Sequence, residues 1–150
     1  MKELADIQTA VASATARGEP VALATIIGVR GSTYRRAGAR LLITQSGQHT
    51  GNISGGCLEG DVAVVAAEVL ESRTPRLMMY DLTADDDAVW GLGLGCNGAI
   101  EVFIEPIRPD DVLWSAAKDA LGRDQALVVA TVVEGTAAIP AGRRILIGPG

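Results

Sequence analysis

The sequence predicts an α/β domain, a mixed β-sheet flanked by helices and built in part on an αββ repeat. Three observations carry this. Helical and strand-like apolar patterns alternate along the chain, with Gly, Pro or Asp between them. Two pairs of segments match. Leu23-Ala24-Thr25-Ile26-Ile27 matches Val129-Ala130-Thr131-Val132-Val133, and Gly38-Ala39-Arg40-Leu41-Leu42-Ile43 matches Gly142-Arg143-Arg144-Ile145-Leu146-Ile147. Each copy follows a helical pattern, and a shorter loop in the second accounts for its slightly different spacing. Finally, 150 residues at 48% apolar composition can bury one sizeable core, so residues 1–150 are expected to form one domain.

The elements follow in order. Leu4, Ile7, Val11 and Ala14 recur at helical spacing over residues 3–17; Gly18 ends that helix and Pro20 prevents its restart. Val21 to Val29 is a nearly continuous apolar run, the mark of a strand buried on both faces. Residues 30–38 read as a loop, 40–44 as a strand, 45–48 as a turn, and 49–54 as the returning hairpin strand. A second helix starts near Cys57, with Leu58, Val62, Val65, Ala66, Val69 and Leu70 as its stripe, and Arg73-Thr74-Pro75 stops it. Residues 77–82 are a strand. Ile100, Val102 and Ile104 alternate with Glu101, Phe103 and Glu105 in another, closed by Pro106. Asp110 or Asp111 can cap a third helix that Gly122 ends. Ala126 to Val133 reads as a buried strand and residues 144–148 as a short last one. The second copy, residues 110–150, stops where the first continues into its hairpin. That leaves an expected edge in need of a partner, either a second copy of the chain or a downstream segment.

Composition excludes several classes. The formal charge of −5 argues against nucleic acid as the main partner, since phosphate backbones need a basic surface. Met1 to Asp6 lacks a signal-peptide core, and no apolar run reaches the roughly 18 residues needed for a membrane span, so a cytoplasmic location is expected. Two cysteines are too few for a disulfide scaffold, and with His49 they fall short of the four ligands of structural zinc.

Three stretches carry chemistry. In Ser54-Gly55-Gly56-Cys57 the glycines let a ligand approach the backbone, and the helix start that follows offers free N–H groups and a partial positive charge to an anion. The same field favours a Cys57 thiolate, while Glu59 and Asp61 oppose it. A tight turn around a small buried cysteine explains the same residues. The second stretch, Gly91 to Gly98, holds Gly95 and the other cysteine, Cys96. A strand follows it rather than a helix, so it is not a dinucleotide fingerprint. The third runs from Arg30 to Arg40 and gathers Arg30, Arg35, Arg36 and Arg40 with Ser32 and Thr33. Guanidinium forks bind phosphate bidentately; a solvated loop paired to Asp85, Asp86 and Asp87 is the alternative. That acidic run reads as a solvated turn before a magnesium site, and His49 as a surface residue.

Taken together, four segments resemble the XdhC/CoxI family: Gly31 to Arg40, Gly51 to Glu59, Tyr80 to Thr83, and Gly91 to Val102. Their order and spacing are similar to that family's amino-terminal domain over residues 5–107, with Asn97 standing where family members often have Gly. The resemblance implies an accessory protein or chaperone for molybdenum hydroxylases such as xanthine dehydrogenase or CO dehydrogenase, one that binds molybdenum cofactor (molybdopterin) and helps its insertion. It implies an apo molybdenum hydroxylase as partner, with a sulfurtransferase and a second copy as further candidates. Carried onto this chain, Cys57 and Cys96 become candidates near the cofactor, with Cys57 the candidate metal ligand. Ser32, Arg35, Arg36, Arg40, Ser54, Gly55, Gly56, Glu59 and Gly95 complete the expected pocket, the arginines toward the pterin phosphate. No catalytic residue is expected. Two rival readings stand beside this one: a small thiol-dependent sulfur- or phosphoryl-transferase using Cys57, and a non-catalytic interaction module whose glycine loops only pack.

Overall fold

The computed structural model describes residues 2–82, 97–108, 111–123 and 125–147. The elements run α1 (Lys2–Ala16), β1 (Val21–Ser32), β2 (Arg40–Thr44), β3 (His49–Gly51), α2 (Glu59–Ser72), β4 (Arg76–Asp81), β5 (Asn97–Ile107), α3 (Val112–Gly122), β6 (Val128–Thr131) and β7 (Arg144–Ile147). The main sheet has the order β3-β2-β1-β5-β4, and β6 with β7 form a separate two-stranded sheet. The α/β class stands, with helices on both faces of the main sheet.

The expected mixture of strand directions does not hold, because every described pairing is antiparallel. The physical reason lies in the crossover through α2. It joins β3 to β4, which run the same way but lie on opposite edges of the sheet, so the parallel strands never meet. Strand β1 is longer than expected and runs to Ser32, paired with Asn97. Strand β5 also passes through Pro106, which was expected to end it. There β4 has already stopped pairing at Ile104, so Pro106 has a neighbour, Ala22, on one side only.

Burial explains why β1 sits at the centre. Ala22, Ala24 and Ile26 pack with Leu41, Ile43, Ile53, Val62, Ala66, Val69, Val102 and Ile104 on the α2 face. Val21 and Leu23 pack with Ile7, Val11, Ala14 and Leu42 on the α1 face. A continuous apolar run is what a strand covered on both faces requires. A bulge at Ile27 shifts the β1–β5 register, and beyond it two glycines face each other, Gly31 and Gly98. Gly31 has φ +69°, and a Cβ there would lie 2.5 Å from the Asn97 carbonyl oxygen. At Gly98 a Cβ would meet the Ser32 carbonyl oxygen at 2.7 Å and Thr33 Cγ2 at 2.9 Å.

The repeat is visible in the hydrogen bonds. Leu23 pairs with Leu42, and the equivalent Val129 pairs with Leu146. Ile26 donates to the Ala39 carbonyl (3.0 Å) and accepts from Gly38 N–H (2.8 Å); Val132 donates to Arg143 and accepts from Gly142 N–H, both at 2.8 Å. Both Gly38 and Gly142 have positive φ. The copies differ in burial. Strand β6 was expected to be buried, yet Val128 is 57% exposed and Ile147 of β7 is 58% exposed, because this hairpin joins no larger sheet. Equivalent residues of the two copies, Thr25 with Thr131 and Arg40 with Arg144, line one largely apolar cavity of about 480 Å³ on the α1 side.

Replacing Gly98 by Ala pushes a methyl group into backbone atoms of β1, so Gly98→Ala is expected to lower stability by about 1–3 kcal/mol. Urea unfolding measures it, and an unchanged midpoint would show that the β1–β5 ribbon tolerates separation there.

Candidate functional site

The sheet register gathers the motif-bearing loops at one end. Strand β1 finishes there at Ser32, β2 and β5 begin there, and β3 and β4 end there. The loop after β3 carries Ser54 to Cys57 into α2, and the loop after β1 carries Tyr34 to Arg36. The two loops touch, for Gly55 lies beneath the Tyr34 ring, where an added Cβ would be 3.7 Å from Cδ2.

The cysteine loop is closed by its own side chains. One Glu59 carboxylate oxygen, Oε1, accepts from Ile53 N–H (3.1 Å) and Ser54 N–H (2.9 Å), and the carboxylate also takes the Ser54 hydroxyl. Ser54 Oγ in turn accepts from Gly56 N–H (3.2 Å) and Leu58 N–H (3.1 Å). Ser54 thus closes the turn that leads into α2, and Glu59 of the first turn reaches back to it, while Leu58 at the α2 N-cap has no side-chain cap of its own. Burial pushes the Glu59 carboxyl up, but the bonds from the Ser54 hydroxyl and from the Ser54 and Ile53 amides outweigh it, and the net shift is downward. These two residues are therefore committed to the loop. The Gly55 and Cys57 N–H groups have no acceptor among the described residues. Cys57 is a half-buried free thiol against the α2-side core.

The expected arginine cradle is not gathered. The loop from Thr33 to Ala39 crosses the end of the sheet, with Tyr34 on the cysteine loop and Arg35 ion-paired to Glu3 of α1. Arg40 donates to the Gly38 carbonyl at 3.2 Å and faces the α1-side cavity with Leu4, Leu23 and Trp114, on the opposite face from Cys57. Arg36 and Ser32 are exposed, and Arg36 has no side-chain partner among the described residues. Gly95 and Cys96, with Asp85 to Asp87 and Gly91 to Leu94, lie outside the described residues. Only Asn97 and Gly98 of the second glycine stretch are described, and they sit beside Arg30 to Thr33.

Two residues outside the expected pocket lie on the same face. The Tyr80 hydroxyl is buried with no hydrogen-bond partner among the described residues. Burial first, and the Asp61 carboxylate second, push this phenol well above its ordinary range; Asp61 is near enough for its charge to act without making the bond. Asp61 stands four residues after Cys57, and Tyr80 packs on the core that Cys57 touches, a coincidence that helical spacing alone could have flagged. Among the described residues no three His, Cys, Asp or Glu side chains gather as a metal site.

Residues 14–81 match the model of the XdhC and CoxI family, and this segment spans both the arginine loop and the cysteine loop. Over that segment the chain resembles the XdhC and CoxI family. It is 44% identical over 92 residues to a probable xanthine dehydrogenase subunit of Bacillus subtilis (strain 168), covering 61% of this chain and 28% of the relative. It is 29% identical over 91 residues to the molybdenum cofactor insertion chaperone PaoD of Escherichia coli (strain K12), with the same coverage. A crystal structure described as a xanthine dehydrogenase from Bacillus halodurans superposes with TM-score 0.76 at 31% identity, over 95% of this chain and 42% of that one. The chain thus spans about a quarter of the length of these curated relatives. The match to the solved structure reaches past the family segment into the second repeat copy.

The Ser54–Glu59 lock gives a stability prediction with a pH signature. Ser54→Ala strips an acceptor from two amides and is expected to cost about 1–3 kcal/mol. For Glu59 the sign follows from its lowered folded value: the contribution is complete above the unfolded value of 4.5 and is lost as pH falls through the folded one. The melting-temperature gap between wild type and Glu59→Gln should therefore be widest above pH 4.5 and close below it. A gap that widens in acid would contradict the lock.

Proposed function

We propose that this chain is the cofactor-handling domain of a maturation factor for a molybdenum hydroxylase of the xanthine dehydrogenase or CO dehydrogenase type. It holds molybdenum cofactor as cargo and passes it to the apoenzyme. The observation that carries the reading is the meeting of the two family loops, which leaves the Gly55 and Cys57 amides, the Cys57 thiol and the Arg36 guanidinium uncommitted at one end of the sheet. The role that PaoD is named for, molybdenum cofactor insertion, supports the same reading.

The donor set fits this cargo in kind. Free amides before a helix and a guanidinium suit a phosphate group. A thiolate suits a soft metal centre. The Gly55 and Cys57 amides and Arg36 would bind the phosphate, Cys57 would face the metal end, and the Tyr34 ring would shield the loop from water. Ser54 and Glu59 would hold the loop's shape rather than touch cargo, and Arg35 and Arg40 are spent elsewhere. Release to the apo-hydroxylase needs only exchange of these contacts, without turnover. A sulfurtransferase acting on the held cofactor, a second copy of the chain and a cytoplasmic setting belong to the same proposal. Among the described residues no helix is long and apolar enough to cross a membrane. The thiol-transferase reading is less well supported, because the carboxylate nearest Cys57 in sequence, Glu59, is committed to Ile53 and Ser54.

The test is to purify the chain with a molybdenum cofactor source and assay bound molybdopterin by its fluorescent oxidation product. Wild type is expected to retain it, and Cys57→Ser and Arg36→Ala are each expected to weaken retention about tenfold, the scale of one charge-assisted contact. Retention absent in wild type, or unaltered in both variants, would sink the reading.

A further inference from the structure

We infer that the cleft at the other end of the sheet, bordered by Arg73, Arg108 and Arg143, binds a small polyphosphate anion. The cleft encloses about 690 Å³ and is walled by Pro75, Pro106 and Pro140. Its arginines come from three separate places: the carboxy-terminal end of α2, the residue after β5, and the loop entering β7. The fold brings them together although the chain as a whole carries a charge of −5.

The charges inside the cleft are sorted in a way that favours an anion. Four arginines line it, with two carboxylates, Glu105 and Asp111. Both carboxylates are turned onto Arg144, which is 2.6 Å from Glu105 and ion-paired to Asp111, and all three side chains are largely buried. Glu68 takes Arg76 instead, at 3.4 Å. Arg73, Arg108 and Arg143 are left without a side-chain partner among the described residues. Arg73 is the only described non-glycine residue with positive φ, 55°, so the end of α2 fixes the direction in which its side chain leaves. Gly142 packs on Pro75, where an added Cβ would lie 3.0 Å from Cγ, which holds the Arg143 loop against the α2 end.

The lining also selects the ligand. Guanidinium forks match phosphate oxygens bidentately, and three of them suit two or more linked phosphates better than a single one. Among the described residues the lining has no aromatic side chain on which a base could stack. The ligand is therefore recognised through its phosphates. Helix α2 separates this cleft from Cys57 by roughly 20 Å, the length of 14 residues at about 1.5 Å each, so the site is independent of the cargo site proposed above.

The test titrates the whole chain with inorganic pyrophosphate, orthophosphate and ATP by calorimetry at about 20 mM and about 200 mM salt, where screening differs several-fold. Pyrophosphate and ATP are expected to bind alike, at least about tenfold tighter than orthophosphate, and more weakly at the higher salt. Arg108→Gln and Arg143→Gln should each weaken pyrophosphate about tenfold, with melting temperatures confirming that the variants fold. In amide spectra, Thr74, Gly142 and Arg143 should shift while Gly55 and Gly56 stay in place. No pyrophosphate binding to wild type at about 1 mM in low salt overturns the assignment. So does binding that Arg36→Gln abolishes and the cleft variants leave intact. Failure of cofactor retention in the earlier experiment alters none of these outcomes, because it probes the opposite end of α2.

Discussion

Strand β1 is the constraint on which the rest depends. It is paired along both edges, by β2 and by β5, and it is apolar on both faces. A strand in that position fixes two layers at once, α2 on one side and α1 on the other. Its extension past the end of β2, held by the Gly31–Gly98 approach, decides where the functional loops hang. A side chain at either glycine would force the ribbon apart and move Tyr34 away from Gly55. Packing deep in the sheet and the geometry of the cysteine loop are therefore one problem.

Within that loop the division of labour follows from hydrogen-bond accounting. A buried polar group left without a partner is costly, so Ser54 and Glu59 satisfy the amides of the turn between them. What they satisfy they cannot offer to a ligand. The groups left uncommitted are two amides, one thiol and the exposed Arg36.

How legible this was depends on the scale of the pattern. Apolar periodicity located the helices and strands within a few residues, and the repeat foretold the matching register of β1–β2 and β6–β7. Strand direction was not legible, because a helix between two strands does not reveal that three others separate them. Nor was the burial of β6, since Val128 to Thr131 has the composition of a core strand and only tertiary partners decide whether it is covered. In the site, Cys57 and its glycines could be read from spacing. The arginine loop could be read only as a cluster. Strand alternation sends Arg40 to one face while Leu41 goes to the other, and Arg35 finds Glu3, a partner far away in sequence. Arg73, Arg108 and Arg143 lie too far apart in the chain for any local pattern to join them.

The two ends of α2 carry different electrostatic problems, and this explains their different residues. At the amino-terminal end the helix presents free amides and about half a positive charge, so the proposed anion would need little beyond backbone and one arginine. At the carboxy-terminal end the dipole has the opposite sign and repels anions, by about half a charge. A single arginine there would do little more than cap the helix. Arg108 and Arg143, brought in by β5 and by the second repeat copy, turn that end electropositive, and Arg144 removes the two carboxylates that would cancel them. The second copy thus contributes charge rather than core. Its hairpin stays exposed, but its β7 entry completes a cleft that the first copy alone does not form.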